Sequence, residues 1–229
     1  MFFFDPTYLL VLPALALAMW AQWKVQSTYR RFAEVRASAG IRGRDMARAI
    51  MVKNGITDVA VEETAGTLSD HYDPRAKTVR LSPDIYEGDS ISSIAVAAHE
   101  VGHVLQHAQG YVPLGIRTAV APVASLGSGL AFPLFFIGFL FRGGMSHLLM
   151  DLGIWFFSAA VLFQLVTLPV EFDASKRALV QLTENGAVAP EEVDGARKVL
   201  NAAALTYVAA ASVAALELVR LLILRGSRR

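Results

Sequence analysis

One short stretch decides the fold of this chain: Ala98-His99-Glu100-Val101-Gly102-His103. It has the pattern His-Glu-x-x-His, with which a helix presents two zinc ligands and a general base. Two histidines four residues apart on an α-helix lie on the same face, so both imidazoles can reach one metal ion at about 2.0–2.1 Å. Glu100 can lean over the same ion, where a carboxylate can take a proton from a zinc-bound water.

The residues around this pattern predict a long, buried helix. Asp89 or Ser90 can serve as the N-cap, and the run that follows, 91–98, is small and apolar. Gly110 is typical of the position just after a helix ends. We therefore predict the metal helix at 90–109 and expect it to lie in a core.

The composition restricts the class of protein. The 229 residues are 54% hydrophobic, which is high for a soluble domain, and the size suits one domain plus membrane segments. The formal net charge of +1 indicates no nucleic-acid partner. The chain has no cysteine, which excludes disulfides, thiolate zinc ligands and a cysteine nucleophile.

Four long apolar runs predict helices that cross a membrane. They are residues 6–23, 119–141, 148–170 and 200–224. A span needs about 20 predominantly apolar residues, and these runs are long enough. The last run contains Glu217 and Arg220, which are three residues apart and can neutralise each other; a core helix or a membrane-surface helix is the alternative for this run.

Basic residues set the predicted orientation. Those that follow the first run are Lys24, Arg30, Arg31, Arg36, Arg42, Arg44 and Arg48. By the positive-inside rule this side of the membrane is cytoplasmic. Residues 119–141 and 148–170 form an out-and-back hairpin, so the segments before and after it emerge on the same side. We expect a multi-pass protein of the plasma or inner membrane whose site faces the cytoplasm.

The region 24–118 predicts a small sheet ahead of the metal helix. We predict a helix at 42–53, a strand at 58–62, a hairpin of 67–72 and 78–82 around Asp73-Pro74, and a short helix from Ser82. The predicted fold class is an α+β zincin-like catalytic region combined with about four transmembrane helices, mostly α overall. Residues 171–199 would complete the catalytic region.

A catalytic zinc site needs a third protein ligand. The best candidates, Glu171 and Asp173, follow the third predicted span, and Pro169 fits just inside the first turn of a new helix. Residues two apart on a helix point about 200° apart, so only one of these carboxylates can face the metal. The residues by themselves leave both open.

The other three histidines are not predicted to be ligands. His107 is about 12 Å from His99 along a helix axis, too far to share one ion, and we expect it to have a partner within the fold. His71 lies on the hairpin, where it has a structural role or polarises a substrate carbonyl. His147 lies between the two middle spans, on the far side of the membrane.

Three stretches, 68–75, 97–103 and 169–175, resemble the bacterial membrane-bound neutral zinc metallopeptidases of the YugP type, within the gluzincin class. They are spread over nearly the whole chain. The resemblance implies a zinc peptidase with His99, His103 and Glu171 as ligands and Glu100 as the base. It also implies that a strand of the hairpin holds the substrate in extended form by β-augmentation.

The chain is more distantly similar to the HtpX and CAAX-prenyl-protease group. In that group an aspartate follows the ligand glutamate by four residues and can orient a ligand histidine. The same position here is Ser175.

Three alternatives have different signatures. A site-2-type intramembrane protease would use an Asp-Gly pair, and the nearest candidate, Asp151-Leu152-Gly153, breaks that pair. A non-catalytic zinc-binding scaffold would have no need of Glu100, which is present. A transporter or structural protein with incidental histidines would bind no zinc.

The sequence therefore predicts a membrane-bound zinc endopeptidase. Its partners would be a protein or peptide substrate, membrane-associated or close to the membrane, and the lipid bilayer. Tyr72, His71 and Tyr86 are candidates for stabilising the oxyanion.

Overall fold

A computed structural model describes residues 5–141, 143–184 and 186–227. The protein is mostly helical with one small sheet, as predicted. The helices are α1 Leu12–Ala33, α2 Gly43–Lys53, α3 Pro83–Tyr86, α4 Ile91–Ala108, α5 Val112–Leu140, α6 Gly144–Glu184 and α7 Val193–Gly226. The strands are β1 Ala60–Glu63, β2 His71–Asp73 and β3 Thr78–Leu81, and a 3-10 turn, Pro6–Leu10, precedes α1.

The three strands form one sheet in the order β1-β3-β2. β2 and β3 pair antiparallel, which is the predicted hairpin, and β1 pairs parallel with β3. The hairpin turn is closed by Asp73, whose Oδ1 accepts hydrogen bonds from the backbone N–H groups of Arg75 at 2.9 Å and Ala76 at 3.1 Å. In the order β1-β3-β2, strand β2 lies at one edge of the sheet.

Helix α4 coincides with the predicted metal helix to within one residue at each end. Ser90 is its N-cap, and the Ser90 side chain accepts a hydrogen bond from the backbone N–H of Ser93 at 3.1 Å. The chain leaves the helix at Gly110, whose φ of +62° suits glycine. Most residues of α4 are buried, because its small apolar side chains pack on several sides.

The chain divides into two compact units. The described residues of 22–114 and 170–205 form an α/β unit, and those of 1–21, 115–169 and 206–229 form a helical unit. Each has its own apolar core. The fully buried members in the α/β unit include Ile50, Val79, Leu81, Ile85, Ile94, Val101 and Leu182. The core of the helical unit is formed by Ala131, Phe135, Met150, Phe157, Val161 and Leu221.

The prediction that a new helix begins at Pro169 is wrong. Pro169 lies inside α6, which runs without interruption from Gly144 to Glu184. A proline in a helix removes one backbone donor, but the cost is tolerated where neighbouring groups compensate, as is common in membrane helices. The residues before Pro169 are mostly apolar, and several residues after it, including Val170, Ala174 and Ala178, are buried. The third span and the segment with the two carboxylates are thus parts of one helix.

Among the described residues, three helices are long and apolar enough to cross a membrane: α5, α6 and α7. They cover the predicted spans 119–141, 148–170 and 200–224 apart from a terminal residue. α1 is not among them, because its apolar first half gives way to a polar second half that continues to Ala33. The first span, 6–23, stays a prediction.

The predicted pair of Glu217 and Arg220 forms within α7. The Arg220 Nη1 atom donates to Glu217 Oε1 at 2.6 Å. Arg220 is only 3% exposed and also donates to Asp5 Oδ2 at 2.8 Å and to Thr7 Oγ1 at 3.2 Å. The start of the described chain and the last part of α7 therefore lie at the same end of the helical unit.

Candidate metal centre

A close contact between α4 and α6 builds the site within the α/β unit. Gly102 faces the backbone of Ala174, and a Cβ atom at Gly102 would lie 2.5 Å from the Ala174 carbonyl oxygen. Only glycine permits this approach. Because Glu171 lies about one turn before Ala174 on α6, the contact brings Glu171 opposite the histidine face of α4.

His99, His103 and Glu171 converge at one point. Their potential ligand atoms all lie within 4.8 Å of one another. Glu171 Oε2 is 3.3 Å from His99 Nε2 and 3.6 Å from His103 Nε2. The two imidazole rings are nearly perpendicular, at 85°, with centroids 4.9 Å apart. Both Nε2 atoms therefore face the same carboxylate oxygen.

Two of the three groups are buried, His99 is half-buried, and their charges are complementary. Glu171 is 1% exposed and His103 is 9% exposed. Burial alone would lower the pKa of His103, but the nearby carboxylate of Glu171, together with the charge of Glu100, holds that pKa above its usual range. A buried carboxylate is unfavourable without a cationic or hydrogen-bonding partner, and a metal ion would supply one. Two imidazole nitrogens and one carboxylate oxygen match the three protein ligands of a catalytic zinc site.

The outer nitrogen of each histidine also has a partner. Ser175 Oγ lies 3.2 Å from His99 Nδ1, and Gln106 Oε1 lies 3.0 Å from His103 Nδ1. Ser175, four residues after Glu171 on α6, thus supplies the contact to the outer nitrogen of His99. Sequence reasoning missed Gln106. Its spacing, three residues after His103, was the available signal, because residues three apart on a helix are neighbours.

Glu100 is 8% exposed and lies beside the cluster, not within it. A second carboxylate, Asp70, lies close enough to Glu100 for the charge of Glu100 to affect the pKa of Asp70. Burial raises the pKa of Asp70, and Glu100 raises it further. Asp70 is held in place by Ser82, whose backbone N–H donates to Asp70 Oδ1 at 2.7 Å.

Asp173, the other candidate for third ligand, is directed elsewhere. Asp173 Oδ2 accepts a hydrogen bond from Gln106 Nε2 at 2.9 Å and forms an ion pair with Arg177. It is not a member of the metal cluster. This agrees with the divergent directions expected for helix residues two apart.

The remaining predicted residues lie outside the cluster. His107 Nδ1 is 2.9 Å from the Tyr72 hydroxyl, so this histidine has a partner, as expected. His71, on the edge strand, has its Nδ1 2.8 Å from the Ser69 carbonyl oxygen. His147 belongs to the helical unit. Tyr86 packs its ring under the guanidinium of Arg44, 5.0 Å from the ring centroid.

Comparison with known proteins agrees with this arrangement of fold and site. Residues 7–226 match the model of a protein family described as "Putative neutral zinc metallopeptidase". The chain is also 51% identical over 211 residues to the "Putative membrane protease YugP" of Bacillus subtilis (strain 168), covering 92% of each chain. No solved structure shows significant similarity to the chain.

The chain therefore belongs to this zinc metallopeptidase family. Zinc is the metal of the family, and His99, His103 and Glu171 are the residues of this chain that could hold it. The name of the Bacillus subtilis relative and the three apolar helices both indicate a membrane protein.

Proposed function

We propose that this protein is a membrane-bound zinc endopeptidase that hydrolyses peptide bonds in membrane proteins or in segments close to the membrane. One observation carries the proposal: His99, His103 and Glu171 converge while the adjacent Glu100 remains outside the ligand set. A purely structural zinc site is closed by four protein ligands. Three ligands with a free carboxylate beside them are the arrangement of a hydrolytic site.

The residues divide the chemistry among them. When bound, zinc supplies Lewis acidity, which polarises a carbonyl group and lowers the pKa of water. His99, His103 and Glu171 fix the position at which that acidity acts. Glu100 accepts a proton from the attacking water and delivers it to the nitrogen of the leaving amine, so the peptide bond is replaced by a carboxylate and a free amine.

The edge strand β2 supports an extended substrate. Its outer side presents backbone groups that no other strand of the described chain covers. A peptide added there would be held by main-chain hydrogen bonds, with alternate side chains directed to the protein. A cavity of about 290 Å³ is lined in part by Tyr72 of β2 and by Val104 and His107 of α4.

The site-2-type alternative lacks its third ligand. Asp151, the candidate for it, is bound by Arg225 within the helical unit, with distances of 2.8 Å from Nε and 2.9 Å from Nη2 to the two carboxylate oxygens. To bind a metal through the same oxygens, this carboxylate would have to give up two charge-assisted hydrogen bonds. The cluster already contains a carboxylate in Glu171.

Removal of metal tests the proposal. We expect the purified protein to contain about one zinc per chain and to cleave an unstructured protein substrate. A strong chelator should abolish cleavage, and added zinc should restore it. Cleavage that persists in the metal-free protein would contradict the proposed chemistry. Zinc binding without cleavage of any membrane or unstructured substrate would support the non-catalytic scaffold.

We further propose that the site faces the cytoplasm, close to the membrane. Glu171 is the first charged residue after the uncharged run 152–170 on the same helix, α6. The basic residues between Lys24 and Arg48 favour the cytoplasmic side. Asp5 forms an ion pair with Arg220 near the end of the last apolar helix. An even number of membrane crossings brings both ends of a chain to the same side of the membrane. The contact therefore supports a fourth crossing, the span at 6–23.

Cysteine labelling tests this orientation. The chain has no native cysteine, so single cysteines have no background. Arg75→Cys lies in the exposed hairpin turn, and Gly144→Cys lies at the start of α6, where a Cβ atom meets nothing within 4 Å. In intact cells a membrane-impermeant thiol reagent should label Gly144→Cys and leave Arg75→Cys unlabelled.

Permeabilised cells provide the control for this experiment, because Arg75→Cys should then react. The opposite pattern in intact cells would invert the topology and direct the proposed activity to the other side of the membrane.

A further inference from the structure

Gln106 is a polar residue buried completely in the core of the α/β unit. It lies on α4, about one turn after His103, and has no part in the chemistry proposed above. Its Nε2 atom donates to the Val170 carbonyl oxygen at 2.7 Å and to Asp173 Oδ2 at 2.9 Å. Its Oε1 atom lies 3.0 Å from His103 Nδ1.

These neighbours fix the direction of the Gln106 amide. A backbone carbonyl oxygen can only accept a hydrogen bond, and so can the ionised carboxylate of Asp173, which is paired with Arg177. The amide nitrogen must therefore face Val170 and Asp173. In the reversed amide, the Gln106 oxygen would face two other hydrogen-bond acceptors, with no donor between them. This leaves the amide oxygen directed at His103.

The direction of the amide decides which nitrogen of His103 carries the proton. An amide oxygen is only an acceptor, so His103 Nδ1 must be the N–H donor of this contact. In the neutral ring the lone pair is then on Nε2, the atom that faces Glu171. Glu171 Oε2, at 3.6 Å from Nε2, is too distant to compete for the proton as a normal hydrogen-bond acceptor.

We infer that Gln106 is a positioning residue that sets the tautomer and the ring orientation of His103, so that Nε2 is the metal-binding atom. The inference rests on the proposed function, in which His103 is a zinc ligand. It also gives Asp173 a role. Asp173 accepts a hydrogen bond from the Gln106 amide, and so it affects the metal centre through Gln106 and His103.

The other ligand histidine does not have this constraint. His99 Nδ1 faces Ser175, whose hydroxyl can either donate or accept, so the contact at 3.2 Å is compatible with both tautomers. The consequences of changing Gln106 should therefore fall on His103 and not on His99. Groups of this kind that orient a ligand histidine contribute about 10- to 100-fold to metal affinity.

The test uses Gln106→Met in the full-length protein. Methionine has a similar length but can neither accept from His103 nor donate to Asp173. Nitrogen NMR of histidine-labelled, metal-free protein at alkaline pH reads the tautomer of each neutral imidazole, and a His103→Gln variant assigns the His103 signal. Competition with a chelator measures zinc affinity. Gln26→Met, at an exposed position of α1, is the matched control.

We expect wild-type His103 to carry its proton on Nδ1, and Gln106→Met to lose that preference and to bind zinc about 10- to 100-fold more weakly. Gln26→Met should resemble the wild type in both respects. Because Gln106→Met could impair folding, thermal unfolding of the metal-free proteins is measured alongside, and the wild-type tautomer, which requires no change at position 106, is the independent second readout.

A wild-type His103 protonated on Nε2 would overturn the inference, and so would a Gln106→Met protein with unchanged tautomer and zinc affinity. The tautomer is measured without metal or substrate. A protein that has the Nδ1 tautomer but cleaves no substrate would therefore contradict the proposed function and leave the positioning role supported.

Discussion

Glu100→Gln is expected to abolish peptide cleavage while leaving zinc bound. Glutamine has the size of glutamate, so the packing of α4 should survive, but an amide cannot accept the proton of the attacking water. The three potential ligands, His99, His103 and Glu171, do not include Glu100. Loss of general acid–base catalysis typically lowers a rate by about 100- to 10,000-fold. Metal analysis and cleavage of an unstructured protein, measured on the same preparation, separate the two effects.

Glu63→Gln is the matched control for this variant. Glu63 ends β1 and is exposed, so the same chemical change there should leave both zinc content and cleavage near the wild-type values. Comparable cleavage by Glu100→Gln would show that another group moves the proton. A Glu100→Gln protein that lost zinc would instead show that Glu100 contributes to binding, contrary to its position beside the ligand set.

The local features of the site were predictable because they depend on spacing within one element. His99 and His103 share a face of α4 through the helical repeat alone. The N-cap Ser90 and the stop at Gly110 bound the same helix, and both follow from short-range chemistry. The hairpin was predictable for the same reason, since Asp73 closes its turn with hydrogen bonds to residues two and three positions on.

The course of α6 was not predictable from local rules. A proline after an apolar run is typical of a helix start, and Pro169 has that position. After Pro169, α6 continues into a segment that packs on residues far away in the sequence, including the approach of Gly102 to the Ala174 carbonyl. Tertiary contact therefore overrides the local preference, and it also determines which carboxylate reaches the histidines.

Gln106 shows a second limit. Its position on the helix indicates only that it lies near His103. Its chemical role depends on Val170 and Asp173, which are on a different helix and more than sixty residues later in the chain. No periodicity within α4 indicates which acceptors would orient the amide. The sequence was sufficient to bring His99 and His103 to one face of a helix. The choice between Glu171 and Asp173, and the groups that orient the histidines, required the packed structure.

Glu171→Ala is expected to remove most of the zinc, whereas Asp173→Ala should retain much of it. Glu171 Oε2 faces both histidine Nε2 atoms, so alanine leaves two ligands where three are needed. We expect the loss of affinity to exceed the 100-fold that is typical of changes to groups behind the ligands. Asp173 touches the centre only through Gln106, which keeps its bond to the Val170 carbonyl, so Asp173→Ala should weaken zinc binding about 10-fold at most.

The measurement is zinc content after dialysis against a chelator of graded strength, with the wild type alongside. Both variants remove a buried or half-buried carboxylate from neighbouring positions of α6, so each controls for the other. Thermal unfolding of the metal-free proteins shows whether either substitution acts by destabilising the fold. If Asp173→Ala lost its zinc more readily than Glu171→Ala in proteins of equal stability, the third ligand would be Asp173, and α6 would have to turn by about half a rotation to present it.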